Sequence, residues 1–262
     1  LSNELLVLAL ALPGRLEQLN QRTTSLGIRD TQAILILRDP VEQALSLYKH
    51  RAKSGSALPI EEWPEIHYHY GKGLFDFLQE AESSDLTLKV RKYRKQGLED
   101  VFFRQWLGVK IDMSPVKRVV NPSLSLSELL LIRQLYQEDK WLPRFLYERL
   151  LPLSSHQKAP EPKLSKYYKA VLSEHLSNYK ATWELCNTHL PEDEQLDIPV
   201  SSGQAVALSE KVLTFSPAQG EVISRFIRES ASLTFWWKLR FREYKHRLGR
   251  LRNRIFRPKR KA

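Results

Sequence analysis

From Ala33 to Leu37 the chain is apolar without a polar break, and it then stops at Arg38-Asp39-Pro40. Apolar residues resume at helical intervals, Val41, Ala44, Leu45 and Tyr48. A short continuous apolar run predicts a buried parallel strand, and the 3.6-residue spacing predicts a helix packed on one side. Asp39 is placed to cap that helix and Pro40 suits its first position. The helix is expected to reach about Arg51, with Glu42, Gln43, Ser46, Lys49 and His50 off the apolar stripe.

The same reading carries along the chain. Lys53–Leu58 reads as a loop. Helix is expected over Ile60–Ala81, broken at Pro64 and at Gly71/Gly73, and a second strand over Leu86–Tyr93. Leu98–Leu107 reads as helix ending at Gly108, and Val116–Val120 as a third strand. Ser125 and Glu128 have the spacing of a capping box, which starts a helix running to about Gln137. Leu142–Leu150 follows as another helix, and a long one is expected over Leu164–His189. Pro191–Ser209 reads as irregular, and a further helix begins after Ser216-Pro217. Strands alternating with helices imply an α/β fold with a mostly parallel sheet and right-handed crossovers. Ligands of such sheets bind beyond the carboxyl ends of the strands, where Arg38 stands.

The domain reading is one α/β core over 1–151 and a linker or surface loop over 152–163. A helical part of the same domain follows over 164–234, then a basic tail over 235–262. Composition agrees with a globular chain: 262 residues, 42% hydrophobic and 10% aromatic. No apolar run approaches the roughly 20 residues of a membrane span. Leu5–Leu12 is too short and lacks the basic start of a signal peptide. Cys186 is the single cysteine, so neither an intrachain disulfide nor a Cys/His metal cluster can form around it. A reducing, cytoplasmic setting is the simplest reading, with Cys186 a small buried hydrophobe.

Net charge is +11 and the isoelectric point about 9.7, which favours anionic partners. From Lys238 onward there are twelve Lys/Arg against one Glu, a surplus equal to the net charge of the whole chain. This tail has three readings: a basic amphipathic helix lying peripherally on an anionic membrane, a field attracting an acidic glycan, or a solvated terminus. Nucleic acid is disfavoured, because no recognised nucleic-acid module occurs in the sequence.

An arginine ending a buried strand needs an anion or water for its guanidinium, and its fork of donors suits phosphate. Ser46 follows two helical turns later and His50 one turn beyond, on the same face. The segment "ILILRDPVEQALSLYKH" (Ile34 to His50) resembles the 3′-phosphate-binding segment of sulfotransferases that use 3′-phosphoadenosine 5′-phosphosulfate (PAPS). There a strand ends in Arg-Asp/Asn-Pro and a serine follows eight residues after the arginine. "LSNELL", "LTLKVRKYRKQGLEDVFFRQWLGV", "VVNPSLS" and "FSPAQGEVISRFIRESA" resemble other segments of bacterial or heparan-type members.

The resemblance implies a P-loop-NTPase-like, mostly parallel sheet flanked by helices, with a helical C-terminal part. It implies sulfuryl transfer from PAPS to a hydroxyl of a carbohydrate or glycolipid, without a metal. Arg38 and Ser46 would bind the 3′-phosphate and Tyr93 would lie near the adenine. Glu4 or His50 would be the base. The plainer readings stand beside these: Arg38 and Ser46 solvated, Tyr93 in the core, Glu4 an exposed acid opening a helix, His50 a surface histidine. His67 and His69 read as exposed helix surface rather than metal ligands. Two departures are visible. Gln43 stands where the family usually has a second arginine, and the Lys-Thr/Ser-Gly-Thr-Thr loop for the 5′-phosphosulfate is absent. "KSGS" at Lys53–Ser56 reads as a turn, and the leucine start suggests a fragment lacking an N-terminal segment with that loop. The alternative is a non-catalytic sulfotransferase-like domain that binds polyanions.

Overall fold

The computed structural model describes residues 4–28, 32–53, 58–84, 87–94, 101–109, 124–139, 141–201, 213–232, 234–237 and 240–241. It is a mixed α/β structure, mostly helical, with a two-stranded parallel sheet among the described residues. The third strand expected at Val116–Val120 lies outside them. No described helix is long and apolar enough to cross a membrane. By its internal contacts the chain divides into two compact units that alternate along the sequence. The first is Leu1–Tyr48, Leu58–Arg118 and Lys166–Ser209; the second is Lys49–Ala57, Val119–Ser165 and Glu210–Ala262.

In the first unit, helices α1 (Glu4–Leu10) and α2 (Arg15–Ser25) precede strand β1 (Gln32–Leu37). Helix α3 (Pro40–Ala52), whose residues from Lys49 on belong to the second unit, helix α4 (Trp63–His67), helix α5 (Tyr70–Glu82) and strand β2 (Thr87–Lys92) follow. The strands pair in parallel from Gln32 opposite Thr87 to Leu37 opposite Lys92. Parallel strands need a long crossover, which α3 to α5 supply. Leu35, Leu37 and Val90 are buried, as are Ala44, Leu45 and Tyr48 of α3. Tyr48 sets its ring edge-on to Trp63 at 5.5 Å and tilted to Tyr168 at 5.6 Å. Large aromatic rings therefore carry much of this core.

The break between α4 and α5 falls at Tyr68-His69 rather than at the glycines, and Pro64 sits harmlessly in the first turn of α4. Gly71 and Gly73 are inside α5 because a side chain there would collide. A Cβ on Gly71 would come within 2.7 Å of the Tyr179 ring, and one on Gly73 would strike Leu8. Helix α1 packs on α5 through this opening. Val101–Trp106 forms a π-helical turn, and Gly108 ends it at φ 68°.

The single long helix expected over Leu164–His189 is two, with a 3₁₀ turn (Ser177–Tyr179) between them. Trp183 supplies a reason: its indole N–H donates to the Leu176 carbonyl at 3.1 Å. That carbonyl is thus satisfied without a continuous helical ladder.

The second unit is built on helices α6 (Leu126–Glu138) and α7 (Leu142–Leu150). Helix α8 (Pro162–Leu176) passes into the first unit at Lys166, helix α9 (Lys180–His189) lies wholly in that first unit, and helix α10 (Pro217–Ser230) belongs to the second. Helices α6 and α10 both open with full capping boxes, Ser125 with Glu128 and Ser216 with Gln219. The boxes interlock: Gln219 Nε2 donates to Glu128 Oε1 at 2.9 Å, and Lys158 pairs with Glu128 Oε2 at 3.0 Å. Glu161 accepts from the amides of Leu126 and Ser127, so those two free donors of α6 are satisfied by a carboxylate.

Candidate functional site

Strand β1 delivers Arg38 to its carboxyl end, and β2 delivers Tyr93 beside it. The Tyr93 amide donates to the Leu37 carbonyl at 2.6 Å, one step past the paired strands. The Arg38 guanidinium consequently lies over the Tyr93 ring, 4.1 Å from its centre. An aromatic ring attracts a cation without neutralising it, so this contact steadies the group and leaves its charge in place. Arg38 is exposed and forms no ion pair among the described residues.

The cations around it are used differently. Lys92 pairs with Asp39 at 3.1 Å and donates to the Gln195 carbonyl at 2.8 Å. Arg94 pairs with Glu194 at 2.9 Å and with Asp193 at 3.4 Å. The buried Glu194 also accepts from the Lys92 amide at 3.0 Å, which ties the acidic 3₁₀ turn Glu192–Glu194 to the end of β2. Of Arg38, Lys92 and Arg94, only Arg38 meets no carboxylate among the described residues.

Ser46 is exposed on α3, and its hydroxyl has no hydrogen-bond partner among the described residues. Gln43 departs from expectation. The apolar stripe assigns it to the polar side, yet it is 6% exposed, and its Oε1 accepts from the Tyr68 hydroxyl at 3.0 Å. A buried tyrosine needs an acceptor, and Gln43 provides it. The position where the resembled family keeps a second arginine is therefore interior here.

His50 lies in the last turn of α3, within the second unit, and is exposed. Partial burial first, and then the Lys53 and Arg51 charges, pull its pKa below the ordinary histidine value. Glu4 is the first residue of α1, so the acidic residue opens a helix. Leu1–Asn3, where a strand end is expected, lie outside the described residues.

A cleft of about 620 Å³ also occurs in the first unit, lined by Leu8, Leu12, Lys72, Phe75, Asp76 and Tyr179 among others. None of Arg38, Ser46 and Tyr93 lines it. Its walls come from α1, α5 and the 3₁₀ turn before α9, far apart in sequence, which is why no local pattern announces it. His67 and His69 are exposed, and no group of three metal-ligating side chains occurs among the described residues. No family model, curated protein or solved structure matches this chain.

Proposed function

We propose that this chain carries the 3′-phosphate-binding part of a PAPS-dependent sulfotransferase acting on a hydroxyl of a carbohydrate or glycolipid. The observation that supports the reading best is Arg38. It is exposed at the carboxyl end of a parallel strand, steadied by Tyr93 and unpaired with a carboxylate among the described residues. Such a group is preorganised for an oxyanion, and little conformational freedom remains to be lost on binding.

In this reading Arg38 binds the 3′-phosphate through its guanidinium edge, Ser46 donates its hydroxyl to the same phosphate, and Tyr93 lies by the adenine. The acceptor oxygen attacks sulfur in line as the bond from sulfur to the 5′-phosphate oxygen breaks. The acceptor proton passes to a base, Glu4 or His50, and 3′-phosphoadenosine 5′-phosphate leaves. No metal is called for. The resemblance gives the leaving-group cation to a lysine of a P-loop, a pattern this sequence does not contain. What these residues account for is donor binding.

Calorimetry with 3′-phosphoadenosine 5′-phosphate and adenosine 5′-phosphate tests the reading. The 3′-phosphate is expected to raise affinity, and Arg38→Ala to remove that gain, a loss on the order of ten- to a hundredfold for a charge-assisted pair. Equal affinity for the two nucleotides would overturn it. The net charge of +11 favours a second reading, a polyanion-binding domain. It predicts salt-sensitive heparin binding that Arg38→Ala leaves nearly unchanged.

A further inference from the structure

Residues 234–237 and 240–241 are helical. Phe235 fixes this turn to the second unit: it is 5% exposed, with Phe145 and Phe226 each 5.8 Å away, ring centre to ring centre. The opposite side of the same turn faces outward. Trp237 is 77% exposed and Phe241, one turn on and on the same face, is 59% exposed, with Trp236 exposed beside them. In the sequence the spacing continues at Tyr244, Leu248, Leu251 and Ile255, steps of three and four residues. The positions between are dominated by Lys and Arg, twelve from Lys238 onward against Glu243 alone.

An apolar stripe of this kind takes a protein groove, a second copy, a nucleic acid or a bilayer. Charge decides among them. A surplus of eleven positive charges in this stretch repels a second copy of itself. Nucleic acid would use the arginines but has no use for a row of leucine and isoleucine. An anionic bilayer uses both sides: aliphatic and aromatic residues enter the acyl boundary, Trp and Tyr settle at headgroup level, and arginines reach phosphate from the flanks.

We propose that the chain binds anionic membranes in the interfacial plane through the stripe beginning at Trp236, Trp237 and Phe241. This does not depend on the sulfotransferase reading.

The test uses the full chain and vesicles of phosphatidylcholine, alone or mixed with phosphatidylglycerol. The chain is expected to sediment with the mixed vesicles and not with the neutral ones. Trp237→Ser with Phe241→Ser should lower the affinity about tenfold or more, since two large apolar groups no longer leave water. Both side chains are mostly exposed, so the melting temperature should change by no more than a few degrees. Brominated phosphatidylcholine in the mixed vesicles should quench tryptophan emission. Trp236→Phe with Trp237→Phe should bind as the parent does but lose most of that quenching. Equal affinity in the serine variant or unquenched parent emission would overturn the proposal. So would a parent dimer that the serine variant converts to monomer.

Discussion

The Arg38 guanidinium rests 4.1 Å from the centre of the Tyr93 ring. The register of the parallel pair produces this contact, because the Tyr93 amide extends the ladder to the Leu37 carbonyl. An exposed cation–π contact is worth roughly 0.5–1 kcal/mol. A double-mutant cycle of Arg38→Ala with Tyr93→Leu, read by urea unfolding, should return a coupling of about that size. Tyr93→Phe should keep it, since the ring face is retained. A coupling of zero would show that the tyrosine does not hold the arginine.

Gln43 and Tyr68 form a buried pair linking α3 to the turn before α5. Gln43→Ala removes the acceptor that Gln43 gives the buried tyrosine hydroxyl and should cost about 1–3 kcal/mol. Gln43→Leu combined with Tyr68→Phe replaces both polar partners with apolar ones and should recover most of that loss. Gln43→Arg, the residue type of the resembled family, should fold worse than either, because it buries a charge whose partner is a hydroxyl. Midpoints of chemical unfolding give the order directly.

Much of what positions Arg38 is readable in the sequence because it is local. The continuous run Ala33–Leu37, the stop at Arg38-Asp39-Pro40 and the spacing Ala44, Leu45, Tyr48 each encode their own element. Ser125 and Glu128 announce a helix start within four residues. The features that escape are those made by distant partners. Gln43 looks polar and outward until Tyr68, 25 positions away, claims its oxygen. Arg94 looks like a free cation beside Arg38 until Glu194 and Asp193 reach it from about a hundred residues on, and the Lys92 ammonium gains the Gln195 carbonyl from as far away. The break at Leu176 depends on an indole seven residues later, which the apolar periodicity does not record. Helix glycines invite a break on propensity alone, yet Gly71 and Gly73 are there because Tyr179 and Leu8 come close.

The interlocked caps of α6 and α10 make Glu128 the most consequential polar residue of the second unit. Its carboxylate accepts from the Ser125 amide at 2.7 Å, from Gln219 and from Lys158, and it is fully buried. Glu128→Ala removes a cap and takes from Lys158 and Gln219 the buried carboxylate that both bind. Breaking a buried charge pair from one side costs about 3–5 kcal/mol. Glu128→Gln should be milder, since an amide oxygen still accepts from the Ser125 amide. Thermal unfolding that ranks the two equally would show that a neutral amide keeps none of the link and that the charge carries it.

Cys186 is buried in α9, and burial pushes its thiol pKa up to about 12. A thiol that stays protonated and covered is a poor nucleophile. The native chain should leave a disulfide reagent unreacted for as long as it remains folded, and one equivalent should react at once in denaturant. Rapid native reaction would mean that the helix opens far below the cost of global unfolding.

His50 offers a test by titration. Burial is the larger cause of its lowered pKa, with the Lys53 and Arg51 charges adding to it. The folded value therefore lies below the ordinary 6.5 of an unfolded histidine. Between the two values the unfolded chain binds the extra proton, so the contribution to stability is complete above 6.5 and falls as pH drops through the folded value. Imidazole proton shifts followed against pH, assigned with His50→Gln, should give a midpoint below 6.5. Lys53→Glu should raise it by exchanging a repelling charge for an attracting one. Added salt should raise it only partway, because screening weakens the Lys53 and Arg51 fields and leaves burial untouched. A midpoint at or above the ordinary value would show that burial and the Lys53 and Arg51 charges do not act on this imidazole.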